Sequence, residues 1–316
     1  MQTQRIFLQT HEPLNFTFKQ TKDDFIVDEI TNVTFKGKGN YLVLKIKKQS
    51  LSTWELLSII SETLGIEEHK IGYAGLKDKN ATTTQYISIP INRSKEYKLL
   101  NSKNIKVLGT YIHDQKLKIG DLEGNRFRIT LQDIDPISLG VIYQSISHIE
   151  KHGMPNYFGF QRFGKESNFE KSKRISYGEE ILKEKKLEKF MKLAYQSYFF
   201  NGWLAKRVEL SKDANSKKLL PLEGDVFKLN DRTIITGLLP GRNIIRAKDE
   251  ARLIEEEFDD MFIYDKGYRR DAWIRPSNIK NKYNKEQNSM QIEFVLPKSS
   301  YATVFIENIA NKNFTY

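Results

Sequence analysis

The chain has 316 residues, 39% hydrophobic and 12% aromatic, enough for one large or two ordinary domains around a sizeable core. It contains no cysteine, which excludes disulfides, thiolate zinc sites, iron–sulfur clusters and cysteine nucleophiles. The net charge of +11, from 51 Lys and Arg against 40 Asp and Glu, points to a polyanion, most often nucleic acid, unless it only follows a lysine-rich proteome.

Residues 1–10 lack the long apolar core of a signal peptide, and no run of about eighteen apolar residues occurs, so no membrane helix is expected. A cysteine-free chain suits a reducing compartment, and a cytoplasmic location is expected. Residues 15–19 and 24–30 alternate enough to read as strands, joined by the polar Gln20-Thr21-Lys22-Asp23. Residues 37–40 form a turn, and 40–47 read as a half-buried strand. Ser52-Thr53-Trp54-Glu55 fits a capping box, with Ser52 as N-cap and Glu55 reaching back. Leu56, Ile59, Ile60, Thr63 and Leu64 give the next helix its apolar stripe, and Gly65 stops it.

Gly72 and Gly75 open a loop that leads into a strand at 85–90. Glycine permits backbone angles that other residues avoid, so this loop is a shaped one. It carries Asp78 between Lys77 and Lys79, and nearby positive charge favours an ionised carboxylate. An ionised Asp on a shaped loop can act as a nucleophile or hold a base, although Lys-Asp-Lys-Asn is also ordinary hydrated-turn composition.

Residues 104–113 and 126–131 read as strands, and 136–152 as a helix on the spacing of Ile137, Val141, Ile142, Ile146 and Ile149. His148 and His152 lie four apart on that helix, a spacing able to clamp a metal. The glutamate is out of place for a zinc-protease motif and no third ligand is evident, so no metal site is expected. Gly153 and Pro155 break the helix, and the stretch to Gly164 interleaves four aromatics with Gln161 and Arg162. Flat faces beside a fork-shaped cation suit unstacked bases and phosphates; the same rings also suit a core. Residues 187–206 and 248–258 read as helices, the second ending in an acidic run read as a solvated face. Arg269 and Arg270 read equally as an RNA contact and as a surface turn. A strand at 291–296 precedes Pro297-Lys298-Ser299-Ser300-Tyr301-Ala302-Thr303 and an apolar helix start.

Ala74-Gly75-Leu76-Lys77-Asp78-Lys79, followed by Ala81, Thr82 and Gln85, resembles the signature loop of the TruD family of tRNA pseudouridine synthases. Other stretches resemble that family's motifs in the same order. They are Lys19 with Asp24-Phe25, Gly124-Asn125-Arg126-Phe127, the run from Pro155-Asn156-Tyr157-Phe158 to Gly164, and Tyr301-Ala302-Thr303. Ser197-Tyr198-Phe199-Phe200-Asn201 and Thr236-Gly237-Leu238-Leu239-Pro240-Gly241 are similar to parts of the family's inserted domain. Ser299 departs from the usual Gly, and Ile306-Glu307-Asn308 from a commoner Arg-Glu pattern.

The resemblance implies an α+β fold. Its catalytic domain, with a mixed, largely antiparallel sheet, is expected at 1–180 and 273–316, and an inserted second α/β domain at 181–272. The implied reaction turns a uridine of tRNA, at position thirteen in bacterial relatives, into pseudouridine. The base is cut from C1′, turned and rejoined through C5. Nothing is oxidised, added or removed, so neither cofactor nor metal is expected.

By the same resemblance Asp78 is the catalytic carboxylate. Lys19, Asn156, Phe158 and Tyr301 are expected to bind substrate, with Phe158 stacking on the extruded base and Asn156 shaping its pocket. Lys77, Gln85, Arg162, Arg269 and Arg270 are expected RNA contacts. The expected partner is tRNA, met by a monomer with no membrane and no small-molecule cofactor. The rival from another class is a non-catalytic RNA-binding protein on the same scaffold. An RNA methyltransferase would need a glycine-rich cofactor loop, and none is evident.

Overall fold

The computed structural model describes residues 4–19, 21–163 and 168–314, without the side chains of Asn168 and Lys186. Gln20 and Gly164, both part of the stretches above, lie outside the described residues. In chain order the strands are β1 (Thr17–Phe18), β2 (Phe25–Ile30), β3 (Tyr41–Gln49), β4 (Gly72–Tyr73), β5 (Thr82–Pro90), β6 (Ile105–His113), β7 (Gly124–Gln132), β8 (Met154–Pro155), β9 (Phe227–Lys228), β10 (Asp231–Leu239), β11 (Tyr268–Asp271), β12 (Trp273–Ile274), β13 (Ser277–Asn284) and β14 (Ser289–Pro297). The α-helices are α1 (Thr53–Leu64), α2 (Pro136–His152), α3 (Asn168–Ser176), α4 (Lys185–Asp213), α5 (Asp249–Glu256) and α6 (Ala302–Ala310). By compactness the chain divides into a sheet unit, Asn15–Asp135 with Ser277–Ser299, and a helical unit, Met1–Leu14 with Pro136–Pro276 and Ser300–Tyr316. The segment 181–272 lies wholly in the helical unit, together with 136–180.

The sheet unit is built on one sheet in the order β13-β14-β7-β2-β5-β3-β6, with β1 added on β7 and β4 on β5. Every pairing is antiparallel except that of β2 with β5. This is the mixed, largely antiparallel sheet of an α+β fold that the resemblance implied. The helix α1 forms for the reasons its sequence gives. Ser52 Oγ accepts from Glu55 N at 3.2 Å, Glu55 Oε2 accepts from Ser52 N at 2.7 Å, and Gly65 ends the helix at a left-handed φ of 60°.

The inner face of α1 buries Leu56, Leu57, Ile60 and Leu64 against Leu42, Leu44 and Ile46 of β3 and Ile87 and Ile89 of β5. Burial of each such side chain contributes about 1.5–3 kcal/mol. Alternation fails at Leu42-Val43-Leu44, all three buried, because β3 is covered on both faces at that point. Val43 packs on the far side with Tyr86 and Leu117, flanked by Val33 and Phe35.

In the helical unit α4 packs on α3 and β10, and α2 on α6. It is longer at both ends than the expected 187–206. The strand β10 pairs antiparallel with β9 and β11, and β8 with β12. Arg207 of α4 is fully buried, and its guanidinium reaches Asp225 at 2.6 and 2.8 Å and Leu220 O at 2.8 Å. A second buried pair joins Arg5 to Glu307 of α6, with Nε donating to Oε2 at 2.8 Å.

Candidate active site

The signature loop of the sheet unit lies between β4 and β5. Neither Gly72 nor Gly75 has a positive φ, so unusual backbone angles are not what selects them. Gly72 is required by close approach instead: a Cβ there would lie 2.3 Å from Ser88 Oγ and 2.5 Å from Leu117 O. That lack of a side chain lets β4 sit directly on β5 and sets where the loop begins.

Beyond it the side chains part. Lys77 turns inward, where its Nζ donates to Glu29 Oε2 at 2.5 Å, with the two side chains 4% and 1% exposed. Glu29 Oε1 accepts from Tyr86 N at 3.1 Å, so the carboxylate is held from two sides. The amide of Lys77 donates to Thr53 Oγ1 at 2.8 Å, and that hydroxyl donates to the buried Gln85 Oε1 at 3.1 Å. The fully buried Lys48 of β3 donates to Asp78 O at 3.2 Å and also to Leu51 O.

The Asp78 side chain faces outward, and no described group hydrogen-bonds its carboxylate. Crowding by surrounding protein pushes its carboxyl above the ordinary range, while Lys48 and Lys77 pull it down. The net direction is upward, opposite to what the flanking lysines suggested. Desolvation outweighs the two lysines; the ammonium of Lys77 is paired with Glu29, and that of Lys79 with Glu55 at 2.6 Å on the exposed side. Lys48 is lowered to about 8 by burial and by Lys77, against the pull of Asp78 and Glu55.

A second cluster stands in the helical unit. The chain after β8 is tied to β11, where Asn156 Nδ2 donates to Asp271 O at 2.8 Å. Arg270 grips Asn156, with Nε on its carbonyl at 3.0 Å and Nη2 on Oδ1 at 2.8 Å. The same guanidinium lies over the Phe158 ring, 4.0 Å from its centroid. Burial lowers Arg270 to about 10, which still leaves it charged at neutral pH. The backbone of Phe158 is bound at both ends by Asn201 of α4, at 2.8 and 2.9 Å. Phe200 and Tyr301 meet the Phe158 ring edge-on at 5.5 and 6.0 Å, and Arg162 lies 5.4 Å from its centroid. Arg162 is oriented by Ser197 Oγ at 3.2 Å.

The family model described as tRNA pseudouridine synthase D (TruD) matches residues 3–193. The tRNA pseudouridine synthase D of Wolinella succinogenes is 36% identical, with 98% of each chain covered. The chain belongs to the TruD family. The corresponding protein of a Nitratiruptor species is also 36% identical, again with 98% of each chain covered. The crystal structure of the putative tRNA pseudouridine synthase D (TruD) of Methanosarcina mazei matches with a TM-score of 0.72 over 98% of this chain and 96% of that one. At 24% identity that likeness speaks for the fold.

Of the residues singled out by likeness to TruD, Asn156, Phe158, Arg162, Arg270 and Tyr301 come together in the helical unit. Lys77 and Gln85 join the Asp78 loop, but as buried members of its hydrogen-bond network. Arg269 turns away from Asn156: it pairs with Glu255, donates to Thr236 O, and reaches Thr236 Oγ1 at 3.2 Å. Lys19, just past β1, is exposed and has no ion pair among the described residues.

Glu29, Lys48, Thr53 and Asn201 were not singled out for the site. Glu29 had a signal: Phe25 and Val27 point inward, and a period of two carries the next inward position to an acid that must find a cation. No three His, Asp or Glu side chains among the described residues gather to hold a metal. His148 and His152 do neighbour each other, with ring centroids 4.8 Å apart. No helix of the described residues is long and apolar enough to cross a membrane.

Proposed function

We propose that this protein isomerises a uridine of tRNA to pseudouridine, with Asp78 as the attacking carboxylate. One observation carries the role of Asp78. No described group hydrogen-bonds its carboxylate and the residue is exposed, while the main chain beneath it is pinned through Lys77 and Lys48. A nucleophile is effective when its mounting is rigid and its reactive atom is not tied up. Membership of the TruD family and the names of the relatives support the reaction.

In this reading the C1′–N1 bond breaks, the base turns, and C1′–C5 forms. C5 loses a proton and N1 gains one, so atoms and electrons balance without a co-reactant. The uridine leaves its stack at a cost of a few kcal/mol. Stacking on Phe158 recovers about 1–3 kcal/mol. Asn156, held by Arg270 and by Asp271 O, shapes the pocket, Tyr301 closes the side of the ring, and Lys19 supplies a phosphate contact. Lys77, Gln85 and Arg269 act by positioning rather than by touching RNA. The protein is taken as a cytoplasmic monomer.

The test is incubation of unmodified tRNA transcript with the protein and no added cofactor. Pseudouridine is expected. Retained binding with no pseudouridine on any tRNA would favour the non-catalytic RNA binder.

A further inference from the structure

Lys48 enters the reaction as described only as an anchor for the main chain of Asp78, yet its position is costly. It follows Leu42, Leu44 and Ile46 on the inward register of β3, where an apolar side chain would be the ordinary choice. Its side chain is fully buried, and it makes no ion pair among the described residues. An ammonium removed from water without a carboxylate costs several kcal/mol unless its protons are satisfied. What it meets are two carbonyls from segments far apart in sequence: Leu51 O, just before α1, and Asp78 O at 3.2 Å.

The other charges around it are already matched. From the loop, Lys77 is paired with Glu29 of β2, and from α1, Glu55 is paired with Lys79. On its strand neighbours Lys48 stands opposite Thr83 of β5 and Ile105 of β6, neither of which is charged. Asp78 is therefore the one unmatched charge facing it among these groups. We propose that Lys48 is a positioning residue for the reaction, whose ammonium ties the main chain of Asp78 to the start of α1 and supplies the positive charge beneath its carboxylate that no acid neutralises. The inference rests on the reading of Asp78 as the catalytic carboxylate.

Two signatures separate this role from simple packing. The carboxylate loses a stabilising charge when Lys48 does, so its titration moves to higher pH. Lys48 itself, lowered to about 8, sheds its proton just above neutrality and then holds Asp78 O less tightly.

The experiment is a pH profile of single-turnover pseudouridine formation for the parent, Lys48→Met and Lys48→Arg. Each thermal midpoint is recorded, and Asp78→Asn serves as control. Lys48→Met is expected to lower turnover by about 100-fold, the order of effect of a small misplacement, with tRNA affinity changed little. Its acid limb should move to higher pH, and the parent's alkaline limb near 8 should vanish. Lys48→Arg stays charged, so it should keep the parent's acid limb and lose the alkaline one.

A folded Lys48→Met protein with the parent's acid limb overturns the inference. So does parent turnover that stays flat across pH 8, a result that needs no variant to fold. If Asp78→Asn still turns over, the reading of Asp78 fails, whatever Lys48 does. If Asp78→Asn is inactive and Lys48→Met matches the parent, only the role of Lys48 falls.

Discussion

Replacing Glu29 by Gln tests whether the Asp78 loop is held from within. The change keeps shape and leaves Oε1 able to accept from Tyr86 N, now at 3.1 Å. It removes the negative charge facing Lys77, whose side chain is only 4% exposed. Breaking a buried pair from one side costs about 3–5 kcal/mol, because the remaining charge is left uncompensated. With the bond to Tyr86 retained, the lower end applies, about 3 kcal/mol. That is more than about 100-fold in the folded-to-unfolded ratio, a large share of a typical domain's stability.

The assay is urea unfolding of the parent, Glu29→Gln, Lys77→Met and the double variant. The double variant leaves no orphan charge and should lose less than the sum of the singles by about 2–3 kcal/mol. At temperatures where Glu29→Gln is folded, turnover should also drop, since the bond from Lys77 N to Thr53 depends on the same loop path. A single variant within about 1 kcal/mol of the parent, or strict additivity in the double, would refute the claim that this pair holds the loop.

Asp78→Asn is expected to abolish turnover while leaving tRNA affinity within a few fold; an active variant would remove Asp78 from the chemistry. The same variant should be more stable than the parent at neutral pH. The carboxyl is raised in the folded state, so the stability it lends is complete at low pH and is lost as pH rises through the folded value. The advantage of Asn should therefore shrink on acidification, and thermal midpoints that differ equally at every pH would count against it. Affinity for tRNA should fall steeply with salt as Lys and Arg displace counterions, and a salt-independent affinity would mean that the charge of +11 is only compositional. Phe158→Ala should lower both the midpoint and the turnover of whatever remains folded, because the ring is 6% exposed and such core truncations cost about 3–5 kcal/mol. Phe158→Tyr keeps the stacking face and should lose less, and an Ala variant as stable and active as the parent would show that the ring neither packs nor stacks.

What could be read from the sequence was what local chemistry determines. The capping box at Ser52 and Glu55, the stop at Gly65 and the helix at 136–152 all depend on neighbours within a few residues, and all are found. The Asp78 loop was legible as a motif, but its workings were not. Lys77 looked like a partner of Asp78 because the two are adjacent, whereas its actual partner lies 48 positions away on β2. Gln85 was expected to contact RNA, but β3, β5 and α1 close around it. Arg269 and Arg270 carry the same charge side by side, and only the alternation of β11 sends one to Glu255 and the other to Asn156. Each of these depends on contacts between distant segments, which a linear reading does not contain.

The pairing of β14 with β7 has a consequence for how the protein is made. Residues 124–132 form β7, and their partner on one side, 289–297, follows only after 133–288 have been synthesised. At about 5–20 residues per second, that edge stands unpaired for on the order of ten seconds. During that time β7 offers a neighbour Phe127, Ile129 and Leu131, all buried in the finished sheet, beside a row of open amides and carbonyls. Once the hairpin arrives, the sheet ends instead on β13, mostly exposed and carrying Lys280 and Lys282, a poor template for another chain. A chain that ends before residue 289 therefore has that edge bare, and the last hairpin acts as a seal on the nascent protein.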